Sequence, residues 1–199
     1  GQGCDGAIYD NGVLKATYSK DPEGWFHHKG ITDFTILSES EWEDKNLFDL
    51  ADLNQENSDV DKYLKDFALM WADRGIDAFR IDTVRHVPCK YIKSFASEIY
   101  AKKDIFIFGE WSFGNFRNKE DREFAEKGII KFSWESDISV IDFNLQKAIT
   151  DVLAENKSFT LITEALKLDE KVKDPSSWIT CVDNHDMPRF ISTAIANGA

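Results

Sequence analysis

Two carboxylates stand at the ends of consecutive apolar segments of this chain. Asp82 ends segment 76–82, and Glu110 follows the run 105–108, a separation of 28 residues (110 minus 82). One strand–helix–strand unit takes about 30 residues, and neighbouring parallel strands lie about 4.7–4.9 Å apart. Retaining glycosidases hold a nucleophile and an acid/base about 5–5.5 Å apart, whereas inverting enzymes need about 6.5–9.5 Å. The spacing therefore favours a retaining glycosidase site.

The neighbours of these two carboxylates fit different protonation states. Arg80 lies two residues before Asp82 and so faces the same side of a strand, where its charge would keep Asp82 ionised. Glu110 is flanked by Phe108 and Trp111 and has no adjacent cation in the sequence. A nucleophile must be ionised and a general acid protonated, so Asp82 suits the first role and Glu110 the second.

A third polar group follows another apolar run. The run 178–182 leads directly into 183–186, which reads Asp-Asn-His-Asp. Structural interpretations compete with the catalytic one, because Asp186 could be the N-cap of the last helix and Arg80 with Asp82 could be a plain ion pair. Three carboxylate-bearing segment ends in one chain, with an arginine beside the first, make a catalytic site as well supported as these structural alternatives.

Alternating helix and strand patterns would position these groups. Such alternation predicts a parallel α/β sheet, in which ligands bind at the C-terminal strand ends. Residues 1–57 have weak periodicity and many turn residues, which is typical of a structured, loop-rich region. The remaining predicted elements are a helix from Ser58 to Gly75 with Ser58 and Asp61 as a capping box, a buried strand at 76–82, a helix from Pro88 to Ile99, a strand at 105–110, a helix at 119–127, a strand at 138–143, helices at 144–155 and 158–168, a strand at 178–182 and a last helix from Pro188.

The composition excludes several functions. The 199 residues include 24 Lys+Arg and 36 Asp+Glu, for a net charge of −12, so neither nucleic acid nor an anionic membrane is an expected partner. No apolar run approaches the roughly 20 residues of a membrane span. Hydrophobic residues make up 42%, enough for a packed core. Cys4, Cys89 and Cys181 are too far apart in sequence to indicate a zinc site or a disulfide framework.

Three segments carry a family resemblance. Segments 75–87, 108–111 and 182–190 resemble the strand-four, strand-five and strand-seven motifs of the α-amylase family of glycoside hydrolases and transglycosylases. Within that family the resemblance is strongest to cyclodextrin glucanotransferases. It extends upstream through 9–12, 25–28 and 46–54.

The resemblance implies a partial TIM (β/α)8 barrel with a loop-rich inserted domain at its N-terminal end. Residues 1–50 would be that inserted domain, and residues 51–199 would be the barrel from strand four to strand seven. A complete barrel takes about 250 residues, so we expect the chain to be a central slice. The remainder of the same barrel would then be a partner.

The resemblance also implies a role for each site residue. Asp82 would be the nucleophile that forms a covalent glucosyl intermediate, and Glu110 would be the acid/base. Asp186 would bind sugar hydroxyls and stabilise the oxocarbenium-like transition state. The substrate-binding residues would be Arg80, His185, Arg85, His86 and Phe48.

Phe48 occupies the position of the aromatic around which the glucan winds in cyclising relatives, although a lone Phe is otherwise expected in a core. Two positions depart from the family pattern. Arg85 replaces a lysine that binds the acceptor sugar, which keeps the charge but changes its geometry. Ser112, followed by Phe113, replaces an aromatic directly after Glu-Trp, and this change weakens the case for cyclisation.

The resemblance implies calcium, secretion and α-1,4-glucan substrates such as starch. Asp52 would be a calcium ligand, and His86 would bind the ion through its backbone carbonyl. Hard oxygen ligands from a loop are what calcium requires. The residues alone make a thin case, because one Asp in a turn is usually a turn residue.

Three hypotheses follow. The leading one is a transferase of the cyclodextrin glucanotransferase type, in which a sugar hydroxyl intercepts the covalent intermediate. A hydrolytic α-amylase, in which water intercepts it, is the alternative. The third is a catalytically incomplete fragment that only binds glucan or calcium, because strands one to three and strand eight lie outside the sequence. A sugar-binding module unrelated to catalysis would not carry the carboxylate set.

Overall fold

The computed structural model describes residues 4–113 and 116–198. The chain divides into two compact units, the first made of Gly1–Phe79 and Val84–Phe106 and the second of Arg80–Thr83 and Ile107–Ala199. Residues 1–3 of the predicted inserted domain and the side chain of Cys4 lie outside the described part. The domain boundary after residue 50 stays a prediction.

The first unit begins with a hairpin and continues through long loops. Strands β1 (Ile8–Asp10) and β2 (Val13–Ala16) pair antiparallel. Helix α1 (Glu39–Glu43) follows, then α2 (Ser58–Asp73) and α3 (Cys89–Tyr100), with short 3-10 turns at Cys4–Gly6 and Val84–His86. The loop-rich character expected for residues 1–57 is confirmed over the described residues 4–57.

Aromatic side chains fill the core of the first unit. Buried Trp25 and Phe26 pack with Val60 of α2, and the Trp25 ring meets Tyr63 edge-on at 5.7 Å. The carboxylate of Asp21 accepts hydrogen bonds from the amides of both tryptophan and phenylalanine, at 2.8 and 2.9 Å. This loop is therefore fixed by its own hydrogen bonds and by burial of its aromatics.

Helix α2 begins one residue away from the predicted cap. Asn57 is the N-cap, and its side chain accepts a hydrogen bond from the Asp59 amide. The prediction of Ser58 and Asp61 as a capping box was wrong, because the asparagine before them supplies the acceptor. Gly75 has φ +91°, a left-handed conformation that glycine adopts without steric cost, so the predicted stop is confirmed.

Three short strands form the sheet that carries the site. Strands β3 (Ala78–Ile81), β4 (Phe106–Gly109) and β5 (Ser139–Val140) lie in the order β3-β4-β5. The Phe106 amide donates to the Asp77 carbonyl and the Glu110 amide to the Ile81 carbonyl, so the register advances along both strands together, as in a parallel pair. β4 and β5 are parallel. The predicted strand–helix alternation is confirmed here.

Three predicted strands differ from the structure. The strand expected at 138–143 covers only Ser139–Val140, because Asp142 is already the N-cap of the helix that follows. β3 alternates exposed and half-buried residues instead of being buried, because it is an edge strand of the described sheet. The strand expected at 178–182 is reduced to one parallel bridge between Ile179 and Ile141. The Ile179 amide donates to the Val140 carbonyl, and the Asp142 amide donates to the Ile179 carbonyl, so in the described part of the chain the bridge is centred on this one residue.

Helices of the second unit surround buried apolar residues. They are α4 (Lys119–Glu135), α5 (Phe143–Ile149) continued by a π-helical turn (Thr150–Ala154), α6 (Thr160–Leu166) and α7 (Phe190–Ala196), with a 3-10 turn at Pro175–Ser177. α4 is longer than the predicted 119–127, since it continues through Gly128 to Glu135. In the described part of the chain, every helix is too short or too polar to cross a membrane.

Gly128 of α4 packs against the ring of Trp111, which follows strand β4. A Cβ at this position would lie 2.8 Å from Cζ2 of Trp111, and the Trp111 ring also packs on Phe132 at 4.9 Å between ring centroids. Glu110 directly precedes this buried tryptophan. The absent side chain at Gly128 therefore lets the ring that follows Glu110 pack tightly against α4.

Candidate active site

One guanidinium in the second unit contacts three carboxylates. Nη1 of Arg80 lies 3.4 Å from Oδ2 of Asp82, and its Nη2 lies 3.1 Å from Oε2 of Glu110 and 3.9 Å from Oδ2 of Asp186. Nε2 of His185 lies 3.2 Å from the same Asp186 oxygen. The structure thus brings together five predicted site residues from three segments of the sequence.

The two central carboxyl groups have opposite pKa shifts. A hydrogen bond with Glu110, aided by the Arg80 charge, lowers the pKa of Asp82. Burial, aided by the hydrogen bond with Asp82, raises the pKa of Glu110. The exposures agree, since the side chain of Asp82 is 67% exposed and that of Glu110 only 13%. When the pair holds one proton, these opposite shifts favour its place on Glu110.

Backbone geometry fixes both groups. The Glu110 amide donates to the Ile81 carbonyl at 2.8 Å, which holds the end of β4 beside the end of β3. Thr83, directly after Asp82, has φ +47°, an uncommon conformation for a β-branched residue. This turn brings the Thr83 amide to 3.3 Å from Oε2 of Glu110. The role of Thr83 could not be predicted from the sequence, because a backbone donor has no side-chain signature.

Asp186 does not cap the last helix. Helix α7 begins at Phe190, and the Phe190 amide donates to Oδ2 of Asp183 at 2.8 Å. The structural interpretation of Asp186 as an N-cap is therefore wrong, and Asp183 supplies the acceptor. The Asp186 carboxylate instead meets Arg80 and His185. The contact of Asp82 with Arg80 belongs to the same cluster and is not an isolated ion pair.

A cavity of about 410 Å³ opens beside these carboxylates. Glu110 and Asp186 both line it, together with Ser112, Phe113 and Met187. Phe113 is buried and meets Phe116 edge-on at 5.0 Å, while Ser112 is exposed. The cavity adjoins the acid/base candidate and is large enough for a small organic group.

The other four predicted site residues lie in the first unit. Phe48 is 62% exposed with φ +56°, so the alternative of a core residue is wrong. Its ring lies 5.4 Å from that of Phe34, which meets Trp42 edge-on at 5.3 Å. We call Phe34, Trp42, Phe48 and His86 the aromatic cluster. A bulky residue with positive φ is strained, and here that backbone presents an aromatic ring to solvent.

Arg85 and His86 flank Trp42 of the aromatic cluster. The Arg85 guanidinium lies 3.9 Å from the Trp42 ring centroid, a cation–π contact. The His86 ring stacks on Trp42, and its Nδ1 is 2.9 Å from the Trp42 carbonyl oxygen. Burial lowers the pKa of His86 to about 4, so its ring is neutral at pH 7.

The predicted calcium ligand Asp52 has another partner. Its Oδ2 lies 2.5 Å from Nδ1 of His27, whose Nε2 lies 2.9 Å from Glu56. The Asp52 hydrogen bond raises the pKa of His27, and an imidazolium would compete with a cation for this carboxylate. Within residues 4–113 and 116–198, no three His, Cys, Asp or Glu side chains are arranged to hold a metal ion. The contact with His27 engages Oδ2 of Asp52, and calcium stays a prediction.

Sequence comparison identifies relatives over nearly the whole chain. A cyclomaltodextrin glucanotransferase from Niallia circulans is 38% identical over 196 residues, which cover 97% of this chain and 26% of the relative. An α-amylase from Niallia circulans is also 38% identical, over 98% of this chain and 36% of its own length. The chain thus spans about a quarter to a third of these curated relatives.

Solved structures give the same result. A cyclomaltodextrin glucanotransferase with a three-domain ABC distribution superposes with a TM-score of 0.86 at 41% identity, over 95% of this chain and 38% of the other. The α-amylase from Geobacillus thermoleovorans, complexed with acarbose, superposes with a TM-score of 0.75 at 32% identity, over 89% of this chain and 39% of the other. The predicted fold, part of a (β/α)8 barrel, is confirmed.

The family match covers the site. Residues 25–198 match the family described as the α-amylase catalytic domain. This range contains all of the predicted site residues, from Phe48 to Asp186. The chain belongs to the α-amylase catalytic domain family.

Proposed function

We propose that this chain carries the catalytic carboxylates of a retaining enzyme acting on α-1,4-glucans, with transfer to a sugar hydroxyl as its main reaction. The observation that carries the proposal is the contact of Arg80 with Asp82, Glu110 and Asp186. One ionised carboxylate beside one protonated carboxyl is the pair that retaining glycosidases use. The family membership supports glycosyl hydrolase or transferase chemistry in general.

In the first step, Glu110 donates its proton to the glycosidic oxygen while Asp82 attacks the anomeric carbon. The bond to the leaving sugar breaks, and an ester forms between Asp82 and the glucosyl group. The lowered pKa of Asp82 and the raised pKa of Glu110 suit these roles. Asp186 and His185 would bind ring hydroxyls and stabilise positive charge that develops in the transition state.

In the second step, the roles at Glu110 reverse. Its carboxylate takes a proton from an incoming hydroxyl, whose oxygen attacks the same anomeric carbon and displaces Asp82. Two inversions give net retention. A sugar hydroxyl gives transfer, and water gives hydrolysis, so the choice depends on which nucleophile the site favours.

Phe48 supports transfer. Its ring is exposed on a backbone with positive φ and offers a stacking surface for a sugar. Stacking there would bind a glucan acceptor, although it would not by itself keep water away from the intermediate. Exposed Ser112 and buried Phe113 argue in the other direction, because neither presents an open ring after Glu110-Trp111. These observations leave hydrolysis as the second candidate reaction.

The first experiment tests the chemistry. The protein that carries this chain is incubated with a chromogenic maltoside, and proton NMR follows the anomer released first. We expect the α anomer and loss of turnover in Asp82→Asn. The matched control is Asp174→Asn, because Asp174 is an exposed carboxylate that caps the turn at 175–177 and should tolerate the change. A β anomer first, or equal losses in both variants, would contradict the proposal.

The second experiment tests transfer. Products from soluble starch are separated by chromatography in wild type and in Phe48→Leu. We expect cyclic products from wild type and a lower ratio of cyclic to linear products in the variant, because leucine keeps apolar volume but offers no ring face. Ile36→Leu controls for a change at another exposed apolar residue. Only linear maltooligosaccharides from wild type would favour the hydrolase.

Calcium and secretion are proposals from the resemblance alone. Calcium binding is tested by thermal melting with CaCl2 or MgCl2. A rise in Tm that is specific for calcium and lost in Asp52→Asn would support the site. An unchanged Tm would show that the pairing of Asp52 with His27 replaces it. Secretion is tested by locating the native protein in culture fractions.

A further inference from the structure

The segment between Asp183 and Phe190 is closed by one carboxylate. Oδ1 of Asp183 accepts from Nη1 of Arg189, and Oδ2 accepts from the Phe190 amide, both at 2.8 Å. The Asp183 side chain is only 11% exposed. Hydrogen bonds from both sides of this carboxylate therefore join the start of the segment to the first turn of α7.

Asp186 lies inside this closed segment. Its amide donates to Oδ1 of Asn184 at 2.9 Å, while its carboxylate reaches Arg80 and His185. The contact of that carboxylate with Arg80, at 3.9 Å, is long for an ion pair. A loose contact does not hold a loop residue in place, so the position of Asp186 depends on the local turn.

The start of the segment is also anchored. Nε2 of Gln146, a buried residue of α5, donates to the Val182 carbonyl at 3.0 Å. Val182 directly precedes Asp183. The segment is thus attached to α5 before Asp183 and to α7 after it, and Asp183 is the group that sets the distance between the two attachments.

We propose that Asp183 is a positioning residue, whose carboxylate closes segment 183–190 and thereby places Asp186 against Arg80. The proposal rests on the proposed function for its catalytic consequence. A displacement of about 1 Å in a group that contacts the transition state can reduce the rate about a hundredfold. Asp183 itself touches neither Arg80 nor Glu110 in the contacts described, so it acts through Asp186.

The first test needs no activity. Crystal structures of wild type, Asp183→Ala and Asp183→Asn are compared, with Asp174→Ala as the matched control because Asp174 accepts from the Ser176 amide in a similar turn. We expect Asp186 to move by more than 1 Å from Arg80 in Asp183→Ala. The displacement should be smaller in Asp183→Asn, whose amide oxygen still accepts from the Phe190 amide, although more weakly than a carboxylate. An unmoved Asp186 in Asp183→Ala would overturn the proposal.

Hydrogen exchange covers the case in which Asp183→Ala does not fold. Arg189→Met removes only the guanidinium, which is 73% exposed, and should leave Phe190 protected. Asp183→Asn should increase the exchange rate of the Phe190 amide about tenfold, because a neutral oxygen is a weaker acceptor than a carboxylate. Equal exchange in wild type and Asp183→Asn would overturn the proposal.

The second test is a double-mutant cycle. Affinity for acarbose and kcat on an activated maltosyl donor are measured in wild type, Asp183→Ala, Asp186→Asn and the double variant. We expect kcat to fall about a hundredfold in Asp183→Ala with a smaller change in KM, and the double variant to be no worse than Asp186→Asn. Multiplicative losses would assign Asp183 a general structural role and overturn the proposal. An inactive wild type that binds no acarbose would refute the proposed function instead, and the crystallographic comparison would still decide the role of Asp183.

Discussion

Removal of the Arg80 charge gives a signed prediction for the pH dependence of the reaction. The active form needs Asp82 ionised and Glu110 protonated, so the acid limb of a kcat/KM profile follows Asp82 and the alkaline limb follows Glu110. Because the two carboxyl groups are hydrogen-bonded, the limbs report two apparent pKa values of the pair. Arg80 favours the ionised form of both groups. Arg80→Gln should therefore raise both apparent pKa values and move the whole profile to higher pH.

The size of the shift follows from distance and exposure. An opposite charge within about 4–6 Å changes a carboxyl pKa by about 1–3 units. Asp82 is 3.4 Å from Nη1 but 67% exposed, so solvent screens this charge and we expect the acid limb to move by the low end of that range. Glu110 is 3.1 Å from Nη2 and 13% exposed, so the alkaline limb should move by about 1–2 units.

The assay is the pH profile of kcat/KM on a maltosyl donor with a good leaving group, which keeps slow variants measurable. Arg80→Lys keeps the charge and should move the acid limb by less than half as much. Arg74→Gln is the control, because that guanidinium lies 5.0 Å from the Trp71 ring centroid and contacts none of the three carboxylates in the structure described. An acid limb that stays in place, or moves to lower pH, in Arg80→Gln would refute the reasoning.

Two further predictions concern stability, both measured as the free energy of unfolding in denaturant. Gly128→Ala should lower this free energy by about 1–2 kcal/mol, because overpacking against Trp111 costs more than the roughly 1 kcal/mol of helix propensity that alanine adds. The control is Ser97→Ala in α3, which should raise it, and a similar rise in Gly128→Ala would contradict the prediction. Thr83→Gly should raise it by about 1 kcal/mol, because glycine accepts φ +47° without the roughly 1–3 kcal/mol of strain. A decrease, as expected for Thr193→Gly inside α7, would show that the turn at residue 83 is unstrained.

Local sequence patterns predicted most of the elements around the site. Apolar spacing located α2, α3 and β4 to within a few residues, because their apolar residues recur at the period of a helix or form a short apolar run. The acidic stretch predicted α4 only over 119–127, and its continuation to Glu135 depends on tertiary packing that includes the contact of Gly128 with Trp111. The run 178–182 reads as a strand, yet pairing is set by the neighbour it meets, and only Ile179 has a bridge partner.

The sequence predicted the carboxylates of the candidate site but not the groups that hold them in place. Asp82, Glu110 and Asp186 lie at the ends of apolar segments, where a carboxylate indicates a possible catalytic group. Asp183 and the Thr83 amide could not be found in that way. The first looks like one more polar residue in a polar cluster, and the second acts through its backbone, so both needed the three-dimensional structure.

The most direct test of the central claim is capture of the covalent intermediate on Asp82. Glu110→Gln is mixed with α-maltosyl fluoride, whose leaving group needs no acid, and the digested protein is analysed by mass spectrometry. The intermediate should accumulate, because no base remains to activate the second nucleophile. We predict one maltosyl group on the peptide that contains Asp82 and none in the Asp82→Asn, Glu110→Gln double variant. An adduct on another residue, or turnover with no adduct, would contradict the account.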